Sequence, residues 1–433
     1  MSRKVLIESL SDEVKEQITK DLEIKLEAST FVYNAQAKFL YPLDITDDYV
    51  YIPFAYGRTC LGGPFKCPPR TFFPITNVNF TGELRPLQKE ITSEAIEHLN
   101  KFGSTIISAY CGVGKTFCSI YLSTKIKLKT LIIVHRIVLV KQWKESIKQF
   151  CPDASLQILD SKADKKECDF YIMNASNVPK RDKEFYSDIG TIIIDEAHLI
   201  MAEGLSKCMQ MLVPRYVIGL SATPYREDGL NILLDLYFGT NKIHRQLNRE
   251  HISYKLSTSF VPNVEMAQNG KVNWGSLLDS QALHTQRNEM IVRLVKFFPE
   301  RVFLILCKRI EQGQYIVNRL QEEKEDVTSL IGKQQEYEQK SRILVGTTGK
   351  CSVGFDHPRL NSLILACDIQ AYFIQVLGRI FRNQANTESI PMVIDIVDKN
   401  PILERHYKVR RAVYLEHGGK IKDFGKEFKE FKL

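Results

Sequence analysis

Ser108-Ala109-Tyr110-Cys111-Gly112-Val113-Gly114-Lys115-Thr116 lies between the apolar run Thr105-Ile106-Ile107 and a segment, Phe117 to Lys127, whose apolar residues Phe117, Ile120 and Tyr121 recur at helical spacing. A strand, a glycine-containing loop and a helix in that order present backbone N–H groups and a helix N-terminus to an anion. Gly112 and Gly114 let the backbone approach phosphates without a Cβ in the way. Lys115 can reach β- and γ-phosphates, and the Thr116 hydroxyl is placed to ligate Mg²⁺. The stretch departs from GxxxxGK[ST] at Ala109, which stands where the first glycine is usual. An ordinary strand-to-helix turn would read similarly, so the rest of the chain decides.

Working outward, short β-rich apolar runs follow at Leu131-Ile132-Ile133-Val134, Phe170-Tyr171-Ile172-Met173, Ile192-Ile193-Ile194 and Val217-Ile218-Gly219-Leu220. Each is apolar on both faces, as strands of a covered parallel sheet are. Leu139, Trp143, Ile147 and Phe150 make a helix face between the first two, and Leu87, Ile91, Ala95 and Leu99 make another that opens at Pro86. These features predict a doubly wound α/β domain over 81–245. A less regular segment, 246–285, leads to a second α/β series over 286–433 with runs at 302–306, 343–345, 363–365 and 392–394. Two such sheets in tandem predict a ligand cleft between domains. The lysine-rich tail from Gly418 is expected to be a solvated helix or a frayed end.

Residues 1–80 read as a small separate unit. Leu10, Val14, Ile18 and Leu22 form a helical stripe behind a Ser11 cap, and Tyr49-Val50-Tyr51-Ile52-Pro53-Phe54 reads as a strand whose aromatics belong to a core or stack on bases. The chain has 433 residues, 44% of them hydrophobic and 25% charged, and a formal charge of +8. That balance is compatible with a polyanionic partner and with many ordinary enzymes. No apolar run reaches the roughly 18 residues of a membrane span, and no signal-peptide profile opens the chain, as expected of an intracellular protein. The ten cysteines are scattered singly, which argues against a disulfide framework. Cys60 and Cys67 lack a second pair to complete a zinc site.

Asp195-Glu196-Ala197-His198 ends an apolar run. That position puts the Asp195 carboxylate beside the phosphate loop, where it can hold Mg²⁺, and places Glu196 to polarise the attacking water. Gln375, Arg379 and Arg382 lie at i, i+4 and i+7 on one predicted helix face, while Ile374, Leu377 and Phe381 occupy another.

With these in place, the chain resembles the superfamily 2 helicases. Asp195 to His198 is similar to the DEAH form of motif II, and the phosphate loop from Ala109 to Thr116 to motif I. Leu84-Arg85-Pro86-Leu87-Gln88 resembles the upstream glutamine motif, Val134 to Trp143 motif Ia, Ser221-Ala222-Thr223 motif III, Gly346 to Asp356 motif V, and Gln375 to Arg382 the QxxGRxxR of motif VI. The resemblance covers about 84–400 and implies two tandem RecA-like doubly wound parallel-sheet domains with a small N-terminal accessory domain, binding ATP and Mg²⁺.

It also implies residue roles. Arg85 and Gln88 would bind the adenine side of ATP; Tyr110, Cys111 and Val113 complete the phosphate loop; Gly354 and Asp356 join the nucleotide site. Arg379 and Arg382 would be arginine fingers. His198 would couple motif II to Gln375 or to Ser221, Ala222 and Thr223. His135, Arg136, Thr347, Thr348 and Gly349 would touch a nucleic-acid backbone, although a structural role for His135 stays open.

Arg226-Glu227-Asp228 resembles the RED motif of XPB-type repair helicases. The overall plan is also similar to phage repair helicases and to transcript-release helicases of large DNA viruses. A DNA helicase or translocase is therefore expected, as a monomeric motor working with transcription or repair machinery in cytoplasm, nucleus, viral factory or virion. An RNA or RNA–DNA hybrid helicase, and an ATP switch that binds nucleic acid without unwinding it, are the alternatives.

Overall fold

The computed structural model describes residues 1–25, 39–61, 68–110, 112–200, 207–221, 231–246, 248–266, 272–334, 336–351, 357, 359–370, 373–381 and 389–432. The chain divides into two compact units, Met1–Arg245 and Gln246–Leu433.

In the first unit, β1 (Ser2–Leu6), α1 (Asp12–Asp21), β2 (Ile24–Lys25), β3 (Phe39–Leu40), β4 (Asp44–Ile45), β5 (Tyr49–Pro53) and α2 (Tyr56–Cys60) come first. The Ser11 hydroxyl caps α1 by accepting from Val14 N at 3.4 Å. Ile18, Leu22, Val50, Ile52 and Tyr56 form a small core of their own. Met1 and Phe54 instead pack into the core of the larger sheet. The strand aromatics Tyr51, Phe54 and Tyr56 are buried.

The larger sheet is built by α3 (Pro86–Phe102), β6 (Ser104–Ala109), α4 (Lys115–Ile126), β7 (Thr130–Val134), α5 (Ile137–Phe150), β8 (Leu156–Leu159), β9 (Phe170–Asn174), β10 (Thr191–Ile194), α6 (Ala197–Ile200), α7 (Lys207–Gln210), β11 (Tyr216–Ser221), α8 (Asn231–Phe238) and β12 (Lys242–Arg245). Its seven strands run in the order β12-β6-β11-β10-β7-β9-β8. Every pairing in it is parallel. Strands β7 and β10 are buried along their whole length, so both faces carry apolar side chains.

The second unit repeats the plan. It contains β13 (His251–Ser257), α9 (Trp274–Leu283), α10 (Thr285–Phe297), β14 (Phe303–Cys307), α11 (Ile310–Glu322), β15 (Val327–Leu330), β16 (Ile343–Thr347), α12 (Thr348–Cys351), β17 (Ser362–Leu365), α13 (Phe373–Leu377), β18 (Met392–Val397), α14 (Pro401–Glu416), β19 (Gly419–Asp423) and α15 (Phe424–Glu427). The sheet order is β15-β16-β14-β17-β18-β13-β19, again parallel throughout.

In the two seven-stranded sheets, five strands go beyond the expected runs, and four of them, β8, β12, β15 and β19, are sheet edges. An edge strand has one solvated side and carries polar and lysine residues that break up the apolar signal. The tail from Gly418 is therefore neither a solvated helix nor a frayed end. Gly419–Asp423 pairs with β13, and Phe424 behind it is fully buried. The fifth strand, β13, lies inside the segment expected to be irregular; Ser253 and Lys255 interrupt its apolar residues, yet it sits between β18 and β19.

Motif VI also departs from expectation. The helix α13 stops at Leu377, and Gly378 to Phe381 continue as a turn, consistent with the cost of glycine in a helix interior.

Candidate active site

In the first sheet the chemistry-bearing residues follow consecutive neighbouring strands. The phosphate loop leaves β6, Ser221 ends β11, Asp195 and Glu196 follow β10, and His135 and Arg136 follow β7. All four lie at the C-terminal edge of a parallel sheet, where open α/β sheets bind ligands. Strands lie about 4.8 Å apart, so four neighbours gather these groups although ~110 residues separate Lys115 from Ser221 in the chain.

Ala109 closes β6 in register with Arg245, in ordinary strand conformation. No positive φ is required there, which accounts for alanine in place of glycine. Gly112 and Gly114 do need it, with φ of 97° and 91°. A Cβ on Gly114 would also stand 2.5 Å from Gln88 Nε2. Lys115 Nζ donates to Ala109 O at 2.7 Å and Tyr110 O at 3.4 Å, curling over its own loop. Thr116 opens α4 beside it. Cys111 lies outside the described residues.

Arg85 and Gln88 brace this loop from α3. Gln88 is buried; its Nε2 donates to Val113 O at 2.8 Å and its Oε1 accepts from Arg85 N at 2.9 Å. One Arg85 terminal nitrogen donates to Val113 O at 3.0 Å and Gly112 O at 3.3 Å. Arg85 and Gln88 thus shape this loop directly.

Asp195 is pushed up to about 6, first by burial and then by the neighbouring Glu196 charge; the Trp143 indole, Lys115 and the Glu196 amide act against the shift. Trp143 Nε1 donates to Asp195 Oδ2 at 2.8 Å. Glu196 holds a φ of 50°, the left-handed region that a non-glycine residue rarely adopts. Such strain concentrates where surroundings fix a side chain for function. His198 is buried, its Nδ1 2.8 Å from Ser221 Oγ and 3.5 Å from Glu196 Oε2, so it joins the ends of β10 and β11. Ala222 and Thr223 lie outside the described residues, as do Arg226, Glu227 and Asp228.

His135 does not present a charge. Burial, then Arg136 and His198, hold it down to about 4, and neither ring nitrogen has a hydrogen-bond partner among the described residues. Unfolded histidine titrates near 6.5. Between pH 6.5 and 4 the unfolded chain therefore binds a proton that the folded chain does not, and stability falls as pH drops through that window. His135→Gln is expected to flatten the thermal-midpoint profile between pH 6.5 and 4, and an unchanged acid slope would contradict the assignment. Arg136 stands at the N-cap of α5, next to Ile137, which is 81% exposed.

In the second unit Thr347 and Thr348 are half-buried where β16 meets α12, and Gly349 is exposed. Gln375 and Arg379 are buried, and neither amide atom of Gln375 has a hydrogen-bond partner among the described residues. Gly354, Asp356 and Arg382 lie outside the described residues. A buried network fixes the same edge: Arg287 Nε binds both Asp398 oxygens at 3.1 and 3.0 Å, and Gln281 Nε2 and Thr258 Oγ1 donate to them at 2.6 and 2.7 Å.

Sequence reasoning missed Trp143 as a polar participant. The signal was available, since a tryptophan in a buried stripe needs an acceptor for its N–H. It equally missed Val113 as the partner of Gln88.

The chain is also similar to known proteins. Residues 81–226 match the family model of the type III restriction enzyme res subunit. The candidate helicase 161L of Invertebrate iridescent virus 6 is 40% identical over 407 residues, 88% of this chain and 91% of that protein. A mimivirus protein named as a candidate ATP-dependent RNA helicase, L396, is 27% identical across 94% of this chain and 82% of its own. The transcript termination protein A18 of Rabbit fibroma virus is 24% identical over 421 residues, 86% of each. Among solved structures, the L327V variant of S. cerevisiae Dbp5 bound to RNA and ADP BeF3 overlays with a TM-score of 0.56 at 14% identity, covering 79% of this chain and 92% of that one, a likeness of fold. With 40% identity over 91% of its iridovirus relative, the chain belongs to that family of viral helicases.

Proposed function

We propose that the chain is an ATP-driven motor that moves along DNA, with ATP hydrolysed at the C-terminal edge of the first sheet. The observation that carries the reading is the convergence there of Lys115, Asp195, Glu196 and the His198–Ser221 pair from neighbouring strands. Mg²⁺ fits the donor set: Thr116 offers a hydroxyl and Asp195 a carboxylate, hard oxygen ligands, and adjacent Asp195 and Glu196 place more negative charge than Lys115 alone offsets. When bound, the ion would neutralise charge on the β- and γ-phosphates.

The protein's own groups do the rest. Lys115 exchanges its loop carbonyls for phosphate oxygens. Glu196, held by its strained backbone, orients and deprotonates the attacking water. His198 and Ser221 carry a change at Glu196 to the adjoining strand end. The motif resemblance supports roles in nucleotide chemistry for Gln375, Arg379, Arg382, Gly354 and Asp356 of the second unit as well. Adenine contact by Gln88 would use amide capacity left after its bond to Val113.

For the polymer, support for DNA comes from Ser221 to Gly229, which resembles the SATP-x-R-x-DG stretch of DNA-directed members. The relative named as a transcript termination protein favours an RNA–DNA hybrid as the second reading, and the one named as an RNA helicase keeps RNA in the test. Steady-state hydrolysis with single-stranded DNA, duplex DNA, RNA and hybrid decides between them. Strongest stimulation by DNA is expected; stimulation by RNA or hybrid alone would replace DNA as substrate, and none by any polymer would overturn the motor.

Backbone binding should weaken with salt. Arg136→Ala is expected to lower the salt slope of DNA binding by about 1, as for loss of one phosphate contact, and His135→Ala to leave it unchanged because that imidazole is neutral. Equal slopes for Arg136→Ala and wild type would remove Arg136 from the interface.

A further inference from the structure

We infer that Trp143 is a positioning residue for the Asp195 carboxylate, making α5 the element that sets the metal side of the ATP site. The inference deepens the proposed function and rests on Asp195 serving the metal.

Trp143 lies seven residues into α5, on the stripe Leu139, Trp143, Ile147 that turns into the sheet. Its side chain is 1% exposed. Packing alone would be served by phenylalanine or leucine without leaving a buried N–H to satisfy. A buried indole N–H left unmet costs stability, and here its acceptor is Asp195 Oδ2 at 2.8 Å. β10 ends at Ile194, and the Asp195 amide is committed to Ile133 O at 3.0 Å on β7. The backbone is thereby anchored by β7 and the side chain by the helix that follows β7.

The bond has a chemical consequence. A carboxylate next to a second carboxylate would swing away from it toward solvent; a donor aimed at one oxygen holds it in place. Outer donors of this kind orient the ligands of metal sites, and losing one typically lowers metal affinity or activity 10- to 100-fold. The same helix begins at Arg136, the N-cap residue proposed to touch the polymer, so a displacement of α5 on binding nucleic acid would reach the carboxylate through a single side chain.

Two tryptophans occur in the chain, Trp143 and Trp274. Trp274 belongs to the second unit and stacks on His406, with ring centroids 5.2 Å apart. The W274F protein therefore reports on Trp143 alone. Adding Mg²⁺ with AMP-PNP is expected to shift its emission, since the charge next to the indole N–H changes, and the shift should vanish in W274F/D195N. No shift under saturation, verified by displacement of a fluorescent nucleotide, would overturn the inference.

A second arm separates the hydrogen bond from packing. W143F removes the N–H, whereas W143H restores an N–H at the corresponding ring position but leaves more space unfilled. The Mg²⁺ concentration for half-maximal hydrolysis should rise about 10-fold in W143F and recover to within about 3-fold of wild type in W143H. The thermal midpoints should fall in the opposite order, W143H below W143F. An Mg²⁺ requirement that follows the thermal midpoints would show a merely structural tryptophan. D195N alone tests the underlying reading: a normal Mg²⁺ requirement in D195N sinks the role of Asp195, whereas loss in D195N with a wild-type W143F sinks only Trp143.

Discussion

Lys115→Ala is expected to lower ATP hydrolysis by about 10³-fold or more while leaving the fold intact. The magnitude is taken by analogy with the arginine that stabilises the transferred phosphoryl in such enzymes, which contributes on the order of 10³ to 10⁵ in rate, because Lys115 would place a like charge on the same phosphates. The preserved fold follows from what Lys115 does without nucleotide: its ammonium donates to the carbonyls of Ala109 and Tyr110, and neither bond ties distant elements together. The loop is braced from the other side by Arg85 and Gln88, so its shape does not depend on the lysine. Steady-state hydrolysis with a thermal-unfolding control measures both halves. Turnover within tenfold of wild type would sink the assignment of this loop as the ATP site, and a large drop in thermal midpoint would mean that the lysine is structural.

Glu196→Gln should behave differently, binding ATP with near wild-type affinity and hydrolysing it roughly 10² to 10⁴ times more slowly, the range that general base catalysis contributes. Glutamine keeps the length of the side chain and the positive φ, so the strained backbone is the same in both proteins. It also removes the charge that helps to raise Asp195, so the neighbouring carboxylate is more readily ionised, and bound nucleotide should be retained. Rapid filtration of labelled ATP with single-turnover kinetics distinguishes the cases. Weak binding would indicate that Glu196 serves the ground state, and wild-type turnover would remove it as the base.

Legibility followed the range of the interactions. Gly112 and Gly114 were readable because a positive φ is a property of one residue and its neighbours. The interior strands were readable because burial on both faces leaves continuous apolar runs such as Thr130–Val134 and Thr191–Ile194. The edge strands were not, since lysine and other polar side chains belong there, and Gly419–Asp423 reads as a charged tail until β13 is known to lie beside it. The candidate site was legible as a set of residue types in order. Its internal bonds from Gln88 to Val113 and from Trp143 to Asp195 were not, whereas that between His198 and Ser221 was one of the two couplings the resemblance implied.

By itself, then, the sequence determined the local chemistry: a loop able to cradle phosphates, two adjacent acids at the end of an apolar strand, and two series of alternating strands and helices. Only the tertiary structure decided that β6, β11, β10 and β7 are neighbours, and with that which side chains meet. Strand order is a nonlocal choice, made by hydrogen bonds and packing between segments far apart in the chain, such as those of Ser108 with Ser221 and His251 with Gly419, and it leaves no mark in the short-range spacing of any one of them.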